Sequence, residues 1–255
     1  MKIDAFCHVM PAEYAVRLDG VSDAPAAANI RNRIAGIPAM VDLDLRFAQM
    51  DEFGPDYQQV ISLPAPPIED LGAPEVCREM ARLGNEGLAA LVERHPERFA
   101  GFVAALPMND PGATLEEIDH ACGELGALGV QIYTHVSMVP HFAGRVGPGW
   151  DQLGARTPPD RRHEIEHAPL SKRPLDYFKM FYADTAMFGA AHAIRCCIEF
   201  FGVDRILFAS DTPFDPEKGP GYIRSTIENL ESLELSEEDR AKIYEGNARR
   251  VLGVR

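Results

Sequence analysis

The chain predicts an α/β fold on a mostly parallel sheet, of the kind that closes into a (β/α)8 TIM-type barrel. Three observations carry this. Short apolar runs alternate with longer amphipathic stretches, the pattern of strands and helices in turn. Alternation at this spacing requires right-handed crossovers and therefore parallel strands. The last run, Arg205-Ile-Leu-Phe-Ala-Ser, delivers Asp211 to a strand's C-terminal end before Thr212-Pro213 breaks the pattern. That edge is where parallel α/β proteins bind ligands and do chemistry.

The elements follow in order. Lys2 to His8 is a short strand, and Asp42 to Phe53 has a helical apolar face at Leu43, Leu45, Phe47, Met50 and Phe53. Tyr57 to Leu63 is a strand stopped by Pro64 and Pro66. Pro74 to Glu93 is a helix ended by His95-Pro96. Phe99 to Leu106 is a strand, Thr114 to Leu125 a helix and Val130 to Tyr133 a strand. Tyr177 to Asp184 gives a strand around Phe181, Gly189 to Phe201 a helix, and Arg205 to Ser210 the strand before Asp211. Helices from about Tyr222 to Leu233 and from Ser236 to Val251 close the chain, the second opened by a Ser cap with Glu237 and Glu238 in its first turn. These make six strands where a regular barrel has eight. Val136 to Lys179 contains no good strand and is rich in Gly, Pro and charge, which is unusual inside a compact domain. The expectation is one barrel domain over 1–255, with an insert-like segment at 137–176.

Composition narrows the function classes. At 255 residues and 46% hydrophobic, the chain can bury one large core. A net charge of −14 argues against a nucleic-acid partner, which needs clustered Lys and Arg. Apolar stretches such as Gly101 to Leu106 are far too short to span a bilayer, and Met1-Lys-Ile-Asp4 has no apolar signal core, so a cytoplasmic protein without a membrane partner is expected. The five cysteines lack C-x-x-C spacing and fit reduced, mostly buried thiols.

Polar residues at strand ends are the candidate site: His8, Asp184 and Asp211, with His135 shortly after the fourth strand. Imidazole and carboxylate at one barrel mouth suit a divalent metal such as Zn²⁺ or Mn²⁺. Each has an ordinary alternative. Asp211 and Asp184 could cap the helices that follow; His8 and His135 could be packed polar residues. For Asp211, the residues Pro213, Pro216 and Gly219 to Gly221 hold off the next helix until about Tyr222, which weakens the capping reading. His163 and His167 are four apart and are read as solvated histidines of the irregular segment. No nucleophile elbow, phosphate loop or dinucleotide fingerprint is present.

Seven segments in order resemble the amidohydrolase-related family typified by aminocarboxymuconate-semialdehyde decarboxylase. They are Met1 to Pro11 (MKIDAFCHVMP), Asp44 to Asp51 (DLRFAQMD), Gly129 to His135 (GVQIYTH), Pro140 to Arg145 (PHFAGR), Phe181 to Asp184 (FYAD), Leu207 to Phe214 (LFASDTPF) and Gly246 to Gly253 (GNARRVLG). The resemblance implies a cytosolic, often dimeric metal-dependent barrel, usually with Zn²⁺, that decarboxylates small unsaturated or aromatic carboxylic acids. A hydrolase of an ester, lactone or amide is the alternative, and a catalytically degenerate barrel that only binds a ligand or partner is a third. It implies His8 and Asp211 as metal ligands, with Asp211 also a candidate proton relay. His135 is a candidate catalytic group; Asp184 and Arg145 are candidate contacts for the acid, since Arg binds carboxylates bidentately. Arg31 and Arg33 are further candidate anchors.

Two departures stand out. The family's first strand usually ends His-x-His, and here Phe6 holds the first of those positions. After Thr134-His135-Val136 the family continues through a fifth and a sixth strand, each ending in a histidine, whereas this chain passes to Ser137-Met-Val-Pro140. The expected barrel is therefore incomplete, its fifth and sixth strands missing. His8 and Asp211 remain, short of the three protein ligands of a catalytic zinc site; His135 and His141 are the candidates to replace the loss.

Overall fold

The computed structural model describes residues 1–21, 32, 35–132, 140, 172 and 174–254. Its strands are β1 (Lys2–His8), β2 (Tyr57–Ser62), β3 (Phe99–Phe102), β4 (Ala183–Asp184) and β5 (Ile206–Leu207). Its α-helices are α1 (Ala12–Gly20), α2 (Leu43–Asp51), α3 (Pro74–Arg94), α4 (Pro111–Gly123), α5 (Pro174–Phe178), α6 (Ala191–Phe201), α7 (Pro220–Ser232), α8 (Glu237–Ala241) and α9 (Asn247–Leu252).

All strand pairs are parallel. β1 pairs with β2 and β2 with β3; β4 pairs with β5. The two ladders join where the chain beyond β5 meets β1. There the Ala5 amide donates to the Phe208 carbonyl at 2.8 Å, the Asp211 amide to Phe6 at 3.0 Å, and the His8 amide to Thr212 at 2.8 Å. Beyond β3, a single bridge ties Ala104 to Val130. The order across the sheet is thus β4, β5, β1, β2, β3, Val130, an arrangement of the (β/α)-barrel type. The segment expected to be irregular, 137–176, lies outside the described residues apart from 140, 172 and the start of α5.

Burial explains the strands. Ile3, Cys7, Val60, Ile61, Phe99 and Phe102 are sealed from solvent, as strands covered on both faces require. The β1–β2 register slips between Asp4 and Cys7. One extra residue in β1 re-aims the side chains that follow, as bulges beside functional sites do.

Helix boundaries differ from the sequence expectations for local reasons. α1 escaped notice because only Tyr14 and Leu18, one turn apart, are its buried residues. α4 starts at Pro111 rather than Thr114, because the Asp110 side chain caps it through the Ala113 amide at 3.1 Å and Pro111 suits the first turn. α7 likewise starts at Pro220, two residues before Tyr222. The strand expected over Tyr177 to Asp184 is a correction: Pro174 opens α5, Phe181 is half exposed, and only Ala183–Asp184 pairs. The expected helix over Ser236 to Val251 is interrupted by a π-helical turn at Lys242–Gly246, and the Ile243 carbonyl accepts the Phe208 amide at 3.1 Å. A π turn commonly marks such a local demand.

α3 crosses very close to the loop after β1. A Cβ on Gly84 would lie 2.5 Å from the Leu63 side chain and 3.2 Å from Tyr14; one on Gly87 would lie 2.5 Å from Pro11. Glycine at these two positions lets the helix seat the strand ends that hold the candidate site.

Candidate functional site

β1 and the turn after β5 bring His8 and Asp211 together. His8 is 3% exposed and Asp211 22%, and His8 Nε2 lies 2.9 Å from Asp211 Oδ1. On the other side of the ring, Nδ1 lies 3.0 Å from the Leu63 carbonyl and 3.0 Å from Ser62 Oγ. The Ser62 hydroxyl donates to the Cys7 carbonyl at 3.2 Å, so its oxygen offers Nδ1 a lone pair. Both neighbours of Nδ1 accept, and Nδ1 therefore carries a hydrogen. Nε2 then faces a carboxylate with its own lone pair unless a positive charge, proton or metal ion, sits between them. The rings of Phe6, at 4.6 Å, and Phe214, at 5.3 Å, flank the imidazole.

Asp211 reaches this position through left-handed backbone, φ +61°, which Asp tolerates better than most residues. A buried network holds it there. The Asp4 carboxylate, fully buried, accepts from the Ser210 amide at 3.0 Å, the Ser210 hydroxyl at 2.5 Å and the Tyr57 hydroxyl at 2.6 Å. Burial raises the Asp4 pKa above 3.8, with the Ser210 and Tyr57 hydrogen bonds opposing the shift. Burial also pushes the Tyr57 hydroxyl well up and lowers Arg46. The network continues as Gln59 donates to Tyr57 Oη at 3.1 Å and Arg46 Nε to Gln59 at 2.9 Å. Arg46 Nη1 then donates to the His8 carbonyl at 2.7 Å. One connected set of buried groups therefore sets both His8 and the residue before Asp211.

Asp211 opens onto a cavity of about 380 Å³ whose walls include Phe6, Ile132, Tyr182, Asp184, Phe188 and Leu207. Asp184 thus shares the cavity with Asp211, and its Oδ1 accepts the Ala186 amide at 2.9 Å. His135 and Arg145 lie outside the described residues, as do His141, His163, His167, Arg31 and Arg33. Asp4, Arg46 and Phe188 were not foreseen. An acidic residue inside the apolar strand Lys2–His8 was the available signal for Asp4; Phe188 offered none beyond the adjacent glycine.

Among the described residues, His8 and Asp211 are the donors at this strand edge that suit a divalent metal. His8 Nε2 and Asp211 Oδ1 are suitable donors, but Phe6 offers none. Among the described residues no group of three or more His, Cys, Asp or Glu side chains could hold a metal ion. A catalytic site normally has three protein ligands.

The family model described as Amidohydrolase matches residues 3–160 and 158–254, and the chain belongs to the amidohydrolase family. Among its relatives is the γ-resorcylate decarboxylase of a Rhizobium species, 35% identical over 290 aligned positions covering 82% of this chain and 86% of the relative. The γ-resorcylate decarboxylase of a Polaromonas species is 32% identical over 60% of this chain, and the match spans about half, 49%, of that relative. The fold also matches the crystal structure of 5-carboxyvanillate decarboxylase from Sphingomonas paucimobilis, with a TM-score of 0.80, 17% identity, and coverage of 100% of this chain and 99% of that one. A dihydroxybenzoic acid decarboxylase from Polaromonas, solved with bound manganese and the inhibitor 2-nitroresorcinol, matches with a TM-score of 0.67 and 22% identity over 99% of this chain and 96% of that one. No helix among the described residues is long and apolar enough to cross a membrane.

Proposed function

We propose that this chain is a carboxy-lyase that removes carbon dioxide from a small aromatic carboxylic acid. The observation that carries it is the part-buried His8–Asp211 pair, whose carboxylate faces an aromatic-lined cavity. A ring of single-benzene size fits a cavity of about 380 Å³. In the proposed step Asp211 delivers the proton that it shares with His8 Nε2 to the ring carbon that bears the carboxylate. The carbon–carbon bond then breaks, its electron pair restores the ring, and CO₂ leaves; solvent returns the proton to the pair. The hydrogen on His8 Nδ1 stays with Leu63 and Ser62 throughout, so only Nε2 exchanges a proton. Asp184 is assigned to the substrate's polar groups, and His135 and Arg145 remain candidates for catalysis and for the acid's carboxylate.

A divalent ion, Mn²⁺ or Zn²⁺, would be held by His8 and Asp211 together with a further donor, and would supply positive charge to the acid's oxygens. The assignment of His8 and Asp211 as metal ligands extends to two donors and no further. An incomplete barrel is part of the proposal. The alignment to the Rhizobium relative runs to 290 positions, longer than the chain itself, so that relative carries residues with no counterpart here. The free thiols Cys7, Cys77, Cys122, Cys196 and Cys197 support a reducing, cytoplasmic setting. A second reading, a barrel that binds the acid without turning it over, is favoured by Phe6 in place of a polar group.

CO₂ release from 2,6-dihydroxybenzoate, 5-carboxyvanillate and 6-methylsalicylate tests the reading. Turnover of at least one, lost in Asp211→Asn, is expected. Binding of these acids with no CO₂ from any would favour the second reading.

A further inference from the structure

We propose that Phe188 is a specificity-determining residue, a stacking platform that selects a planar ring over a saturated one. The inference rests on the functional reading above and deepens it.

Phe188 has φ +47°, conformational territory where a bulky side chain is a genuine outlier. Gly189 follows at φ +96°, so the chain turns sharply there. Such strain persists only where surrounding contacts over-determine it, and it clusters at ligand sites. Here the contacts are plain. Thr185 is fully buried and exchanges hydrogen bonds with Ala209: its hydroxyl donates to the Ala209 carbonyl at 3.0 Å and accepts the Ala209 amide at 2.9 Å. The Met187 amide donates to the Thr185 carbonyl at 2.7 Å, and the Ala190 amide to Met187 at 3.0 Å. This anchors the loop after β4 to the strand that presents Asp211.

The Phe188 ring stacks on Tyr222 of α7, with centroids 4.2 Å apart and planes 25° from parallel. One ring face is thereby covered, yet Phe188 remains 50% exposed and lines the cavity with Asp211. Folding alone gains little from a strained, half-exposed aromatic; a ligand ring stacked on it does. Charge points the same way. The cavity holds Asp184 and Asp211, and among the described residues lining it there is no Lys or Arg. With no cation among those residues to attract the acid's carboxylate, affinity in this part of the cavity comes from the ring.

The test is calorimetric titration of the wild-type chain, Phe188→Leu and Phe188→Trp with benzoate, 2,6-dihydroxybenzoate and cyclohexanecarboxylate. In wild type each planar acid is expected to bind about three-fold or more tighter than the saturated one. Phe188→Leu should lose that preference by weakening the planar acids alone, and Phe188→Trp should keep it. Equal wild-type affinity for benzoate and cyclohexanecarboxylate overturns the inference without recourse to any variant. So does Phe188→Leu binding planar acids as wild type does. Wild type binding none of the three overturns this inference, and the functional reading falls with it only if none of its own three test acids releases CO₂; turnover without ring preference overturns this inference alone.

Discussion

His8 holds a hydrogen on Nδ1 because the Leu63 carbonyl and Ser62 Oγ can only accept there, and this leaves Nε2 as the group that meets Asp211. Replacing Asp211 by Asn removes the carboxylate while keeping its size. We expect kcat to fall about a hundred-fold or more, the usual contribution of a positioned proton donor, with KM nearly unchanged; an unchanged kcat in a steady-state assay would remove Asp211 from the mechanism. Asp4 acts at the same scale through Ser210. Asp4→Ala strands the Tyr57 hydroxyl and the Ser210 amide and hydroxyl as buried donors, and should cost about 3 kcal/mol in urea unfolding. A loss under about 0.5 kcal/mol would show that water replaces the carboxylate. Because burial raises the folded pKa of Asp4 above 3.8, the folded state binds its proton more tightly than the unfolded chain does. Stability attributable to this group is therefore greatest at and below 3.8 and declines as pH rises through the raised value. Unfolding titrations of Asp4→Asn should lack this component, and identical pH slopes for wild type and variant would refute the assignment.

Elements transmit these constraints through close contacts. α3 approaches β2's end only because Gly84 has no side chain, and the residue it presses, Leu63, also supplies the carbonyl that orients His8. Gly84→Ala should destabilise by about 1–3 kcal/mol, as overpacking of a tight core does. It should also disturb the His8 contact; an unfolding midpoint at or above wild type would mean that Leu63 has room to yield. The helical periodicity of α3 and α6 was legible in the sequence because their apolar faces are long. β4 was misplaced because two paired residues leave no periodic trace, and the tail helix was read as continuous because a π turn keeps a nearly helical pattern. α9 is tied to β5 by Asn247, whose amide donates to the Val203 carbonyl at 2.9 Å and the Ile206 carbonyl at 2.8 Å.

At the scale of the molecule, the described strands run from β4 on one side to Val130 on the other. The incomplete barrel proposed above would leave strand edges that invite pairing. We expect a homodimer, or a larger assembly, by multi-angle light scattering. A monodisperse, well-folded monomer would count against both the incomplete barrel and the pairing of its edges.

The sequence by itself determined the parallel α/β plan and the places of His8 and Asp211 at strand ends, because alternation and strand-stopping prolines are local signals. Tertiary structure decided the rest. The hydrogen on His8 Nδ1, the Asp4 network behind Asp211 and the exposed face of Phe188 depend on groups brought together from distant parts of the chain. His8 and Asp211 are 203 residues apart in sequence, and Asp4 and Ser210 are 206 apart. Contacts closed over such separations leave no periodic mark on either partner; only the folded sheet puts them within a hydrogen bond of each other.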